Sequence, residues 1–162
     1  MKKIEIVFIA YVVMFTLYSC NNHTEYFDPK QSIEVRDSVT RMMASISNDV
    51  TLKGPAAWAQ YFEDVPEFYM ANDGRLQLSD GDSAQNFVKN ILITKINKIE
   101  LQWSNIRIDA YIKTLADVAA NYREYIINSD GKMISVFGYF TGVAQKTSKR
   151  WQLRNAHWSS IK

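Results

Sequence analysis

The spacing of apolar residues predicts an α+β domain. Between Pro29 and Asn97 they recur mostly at helical spacing, whereas from Ile99 to Ser160 they alternate with polar residues at the period of a strand. Apart from one hairpin, the helical segments precede the long strands, an order that fits α+β architecture. The 47% apolar and 22% charged content suits one compact domain and excludes a disordered tail, a collagen-like fibre and a multidomain enzyme. Nineteen basic and seventeen acidic residues leave +2, too little for an electrostatic nucleic-acid binder.

Met1-Lys2-Lys3 is a short basic start to the apolar run from Ile6 to Leu17. That run falls short of the ~20 residues needed to span a bilayer and suits the core of a signal peptide. Leu17-Tyr18-Ser19-Cys20 resembles the lipobox of bacterial lipoproteins, which implies cleavage before Cys20 and diacylation of its thiol. The alternative is an idle thiol at the end of an ordinary secretory leader; a lone Cys placed where the leader ends favours lipidation. The expected organisation is a signal peptide over 1–19, a tether over 20–28 and one domain over 29–162. Such a chain would sit in the cell envelope, held to a membrane through lipid on Cys20. With one Cys no internal disulfide forms, so stability rests on the hydrophobic core.

Asp28-Pro29-Lys30-Gln31 reads as a helix start: Asp28 caps free N–H groups, Pro29 fits the first helical position and Gln31 can close a capping box. Val35, Val39, Met42, Met43, Ile46 and Val50 extend the helix to about residue 51. Lys53-Gly54-Pro55 stops it, and Pro55 opens a short second helix to Phe62. Glu67 to Ala71 and Arg75 to Leu78 flank Asn72-Asp73-Gly74, a hairpin signal. Asp82-Ser83-Ala84-Gln85 offers another cap for a third helix over about 83–97, with Ala84, Phe87, Val88, Ile91 and Leu92 as its apolar side.

Period two then takes over. Ile99, Leu101 and Trp103 alternate with Glu100, Gln102 and Ser104, and Ile106 and Ile108 follow. Val118 to Ile127 and Met133 to Ala144 are extended, joined by the turn Ser129-Asp130-Gly131, with Gly138 and Gly142 as bulge or bend sites. After the polar turn Lys146 to Arg150, Trp151 to Ser160 makes the last strand. No internal repeat or low-complexity linker interrupts this order.

The order of elements, and the ending in which Trp151, Leu153, His157 and Ser159 stand in place, resemble the NTF2-like superfamily and its SnoaL-like members. The resemblance implies a cone: three N-terminal helices packed on a strongly curved antiparallel sheet, an apolar pocket at the wide mouth, and frequent homodimerisation through the outer sheet face. It also implies a range of roles, from isomerases, dehydratases and hydrolases to pure binding modules, so fold alone assigns no reaction.

Strict alternation along the last strand puts Trp151, Leu153, Asn155, His157 and Ser159 on one face, taken as the concave one. His157 is then a candidate general base or hydrogen-bond donor, or else a buried histidine satisfied by Asn155 or a carbonyl. Asp109 is a candidate pocket carboxylate, or a solvated group near a strand end. Trp58, Tyr61, Tyr69, Trp103, Tyr122 and Tyr139, with Asn155, are candidates for a ligand-binding wall, or for plain core or interface packing.

Other chemistries fit poorly. Gly81-Asp82-Ser83 resembles the nucleophile segment of GDS-type esterases, but Arg154 stands where their Asp-x-x-His motif needs the acid. His23 and His157 are the only histidines, so no zinc site is expected, and there is no Gly-rich phosphate loop and no cofactor signal. Lys146, Lys149 and Arg150 read as a solvated turn. The expected function is a membrane-anchored lipoprotein whose conical pocket binds a small, partly apolar ligand. An acid–base enzyme using His157 and a pocketless dimeric interaction module are the alternatives.

Overall fold

A computed structural model describes residues 27–161. The leader, Cys20 and nearly all of the tether lie outside the described residues.

Helix α1, Pro29–Lys53, starts where the cap predicts: the Asp28 carboxylate accepts from the Lys30 N–H at 3.1 Å, with Pro29 in the first turn. Its buried residues are the six of the helical stripe, Val35 to Val50. Gly54, at φ 82°, ends it, and its N–H returns to the Val50 carbonyl at 3.0 Å. The second helix is tighter and shorter than expected, a 3-10 segment over Pro55–Gln60. Beyond it the chain turns extended beside the last strand: Leu153 N–H donates to the Tyr61 carbonyl at 2.7 Å, and Glu63 N–H to the Leu153 carbonyl at 2.9 Å.

Strands β1 (Tyr69–Asn72) and β2 (Arg75–Leu78) form the predicted hairpin, with Asp73 at φ 46° and Gly74 at φ 79° as its two positive-φ turn residues. Helix α2, Gly81–Asn86, begins two residues early because Asp80, not Asp82, caps it: Asp80 accepts from Ser83 N–H at 2.6 Å in a reciprocal box. The helix widens to π hydrogen bonding over Phe87–Leu92 and closes with the α-helical turn α3, Ile93–Lys95. Four long strands follow: β3 Ile96–Ile112, β4 Leu115–Asn128, β5 Met133–Lys146 and β6 Trp151–Ser160.

The six strands form one curved sheet in the order β2-β1-β6-β5-β4-β3. It is mixed, not wholly antiparallel as expected, because β1 runs parallel to β6 over Tyr69–Asn72 and Asn155–Trp158. The short hairpin extends the sheet at that edge, and its turn is tied down by Asp73, whose carboxylate accepts from Ser160 N–H at 2.7 Å. At the opposite edge α1 covers β3: Ser47 Oγ donates to the Leu101 carbonyl at 2.5 Å, and Leu101 N–H donates to Thr51 Oγ1 at 3.1 Å. Those bonds blunt an edge that would otherwise invite strand pairing.

Both β5 glycines mark close approach to β6. A Cβ on Gly138 would collide with the Ser159 carbonyl, and one on Gly142 would sit 2.7 Å from the Asn155 carbonyl oxygen. Next to Gly142 the register slips: Val143 faces Asn155 while Ala144 faces Leu153, leaving Arg154 as an unopposed bulge residue. Its guanidinium reaches Glu63 and Glu67 at 3.2 and 3.3 Å. This bulge resets the alternation of β6. Leu153, Ala156 and Trp158 are buried inside, whereas Asn155, His157 and Ser159 turn outward.

A chamber in the cone

The concave wall of β4 reads Ala116, Val118, Ala120, Tyr122, Glu124, Ile126, and its first four members are buried. Glu124 continues this inward stripe. In register it lies between Leu101 of β3 and Val136 of β5, so both lateral neighbours are aliphatic. A chamber of about 330 Å³ opens over this stretch. Its sheet side is Ile99, Tyr122, Glu124, Val136 and Trp158. Trp58 and Phe62 close it from one flank and Phe87 and Leu92 of the π segment from another, while Asn72, Gln77 and Ser160 supply neutral polar groups.

An aromatic cluster fixes the floor. The Trp158 ring stands 4.8 Å from Tyr122 and Phe140 and 5.6 Å from Trp58 and Trp103, centroid to centroid. The near-perpendicular contacts with Tyr122 and Trp58 suit the quadrupoles of the rings. Tyr122 Oη lies 3.2 Å from Ser160 Oγ. Trp103 Nε1 is buried without a hydrogen-bond partner beneath this cluster.

Burial pushes the Glu124 carboxyl up from its ordinary 4.5 to about 7, because an ionised carboxylate loses hydration among these walls. The Tyr122 phenol is raised chiefly for the same reason. A carboxyl poised near neutrality can hold or release a proton at physiological pH, as an acid–base group must. Among the described residues no group of three or more His, Cys, Asp or Glu comes together to hold a metal ion.

Of the residues singled out from the sequence, the chamber collects Trp58 and Tyr122. Trp103, partly buried, packs on Trp158 and Phe140 without lining the chamber. Tyr61 is buried elsewhere, its hydroxyl donating to the Asp49 carboxylate at 2.7 Å in a groove between α1 and the β5–β6 turn. His157 is exposed on the outer face opposite Thr141, and Asn155 beside it accepts from Val143 N–H at 3.0 Å. Neither reaches the chamber, because the Arg154 bulge moves them across the sheet. Asp109 is an outer-face residue within β3, not near a free strand end; it pairs with Arg107 at 2.8 Å, and its side chain is 44% exposed. Tyr69 and Tyr139 are each 47% exposed and line an outer hollow together with Asp109 and Asn155.

Glu124 itself was missed. Its signal is a single acid on an otherwise apolar alternating stripe from Ala116 to Ile126.

No protein-family model matches the chain, and no curated protein matches it either. Solved structures do. A candidate scytalone dehydratase from Novosphingobium aromaticivorans superposes with a TM-score of 0.68 at 18% identity, over 80% of this chain and 85% of that one. An NTF2-like superfamily protein from Salmonella enterica gives 0.62 at 18%, over 82% and 92%. A hexachlorocyclohexane dehydrochlorinase from Novosphingobium barchaimii gives 0.63 at 10%, over 80% and 88%. The chain shares the fold of these NTF2-like structures, with helices packed on a curved mixed sheet.

Proposed function

We propose that this protein is an envelope lipoprotein, anchored through lipid on Cys20, whose cone binds a small, partly apolar molecule. The observation that carries the binding role is the open chamber itself: aromatic and aliphatic walls, a few neutral polar groups and one carboxyl, the usual make-up of a small-molecule site. The dehydratase and dehydrochlorinase names among its structural neighbours fit a chamber that handles small molecules.

The neutral fluorescent probe N-phenyl-1-naphthylamine tests this reading. Its emission should rise on adding the full chain and fall back by most of that gain with Val136→Phe, which fills the chamber from β5. No enhancement, or full enhancement by the variant, would sink the chamber as a binding site. The anchor has a separate test. Mass spectrometry of the mature N-terminus should find a diacylated Cys20 and no leader, and an unmodified Cys20 behind an intact leader would end the lipoprotein reading.

A second reading is favoured by Glu124. In an acid–base enzyme of the isomerase, dehydratase or hydrolase type, this carboxyl would take the part first offered to His157. Chemical change of a bound compound that is lost in Glu124→Gln separates an enzyme from a binder.

A further inference from the structure

Among the described residues Glu124 is an acid with no ion-pair partner. Its lateral neighbours in the sheet are Leu101 and Val136, and among the described residues the chamber wall contributes only one other ionisable group, the Tyr122 phenol. The nearest basic residue in sequence, Arg123, points to the other face, where its guanidinium donates to Tyr125 Oη at 3.4 Å. Asn72, Gln77 and Ser160 are neutral. No Lys, Arg or His lines the chamber among the described residues. A carboxylate taken out of water without a counter-ion is costly, and the cost is relieved when a positive charge is brought to it.

The rest of the wall suits a particular kind of charge. Trp58, Phe62, Phe87, Tyr122 and Trp158 place five rings around one small space. The faces of such rings attract cations, most strongly where water is excluded and where the cation is weakly hydrated. An anionic ligand would meet Glu124 as a like charge. A small metal ion would find one carboxylate and no set of further ligands.

We propose that the chamber takes an organic cation, a quaternary ammonium or a protonated tertiary amine, held against the aromatic faces with Glu124 as its counter-ion. This rests on the reading of the chamber as a ligand site and names the class of ligand it selects.

The probe pair is benzyltrimethylammonium and its neutral carbon isostere, neopentylbenzene, which share shape and differ in charge. Binding to the full chain is read from quenching of tryptophan emission, since Trp58 and Trp158 line the space. At pH 8 the cation should bind about tenfold more tightly than the isostere. That preference should fall severalfold, to the small remainder the rings alone supply, at pH 5, where Glu124 is protonated, and in Glu124→Gln at either pH. Circular dichroism confirms that the variant is folded, and the wild-type comparison across pH needs no variant. If the isostere binds as well as the cation at pH 8, the ligand class is wrong while the chamber stands. A preference that survives unchanged in Glu124→Gln also overturns the proposal. If neither compound binds, the ligand-site reading falls with it.

Discussion

Replacing Glu124 by Gln should raise the unfolding free energy at pH 8 by on the order of 2 kcal/mol and change it by well under half as much at pH 4. In the folded chain the carboxyl titrates near 7, against an ordinary value of 4.5 when exposed. A raised acid means that the folded state binds the proton more tightly than the unfolded state. Its favourable contribution is therefore fully present below about 4.5 and is lost as pH climbs through 7. The amide cannot ionise, so the variant escapes that loss. The whole displacement would convert to somewhat more than about 3 kcal/mol, but Glu124 keeps partial access to solvent through the chamber mouth, which lowers the figure to about 2. Urea unfolding of both chains at the two pH values reads the effect, which amounts to several degrees in Tm. Equal gains at both values would show that burial of charge is not the cause, and no gain at pH 8 would place the carboxyl in water. A stabilising substitution at a ligand-binding residue is the signature of a site that carries a destabilising charge for a purpose other than folding.

The parts of the fold that were legible are those governed by local rules. The α1 stripe, the Gly54 stop, the Asp73-Gly74 hairpin turn and the starts of β5 and β6 follow from spacing and turn chemistry that a few neighbouring residues decide. Boundaries slipped where two local signals competed, as Asp80 and Asp82 did for the cap of α2. The parallel pairing of β1 with β6 joins residues 86 positions apart, and no local pattern encodes it. The site failed for a sharper reason. A strand's faces are predictable only while its register is unbroken, and a single unopposed residue, Arg154, exchanges them for everything downstream. The histidine suggested by the family resemblance thereby lies outside, and the acid on the unbroken strand β4 is the one carboxyl in the chamber wall among the described residues. That acid was visible in the sequence as one charge in an apolar row, a pattern that periodicity can find without knowing the fold.

Trp158→Ala gives the most direct measure of that exchange. If β6 alternated without a break from Trp151, Trp158 would face outward, and its removal would cost no more than about 0.5 kcal/mol, as at an ordinary surface position. With the bulge at Arg154 the ring is instead 92% hidden and packs against Trp58, Trp103, Tyr122 and Phe140 at once. Truncating it then removes the shared partner of four rings and leaves a cavity beside the chamber, an expected loss of about 4 kcal/mol. Against a typical total of roughly 5–15 kcal/mol this is enough to bring the domain close to unfolding at ambient temperature. Trp158→Phe keeps an aromatic ring in the cluster and should cost much less, which keeps the measurement usable if the alanine variant does not accumulate. His157→Ala, one position earlier on the same strand, should be nearly neutral. Chemical denaturation of the three variants reads all of these together. A costly His157→Ala beside a harmless Trp158→Ala would put the histidine back inside the cone and restore it, with Glu124, as a candidate for the acid–base part.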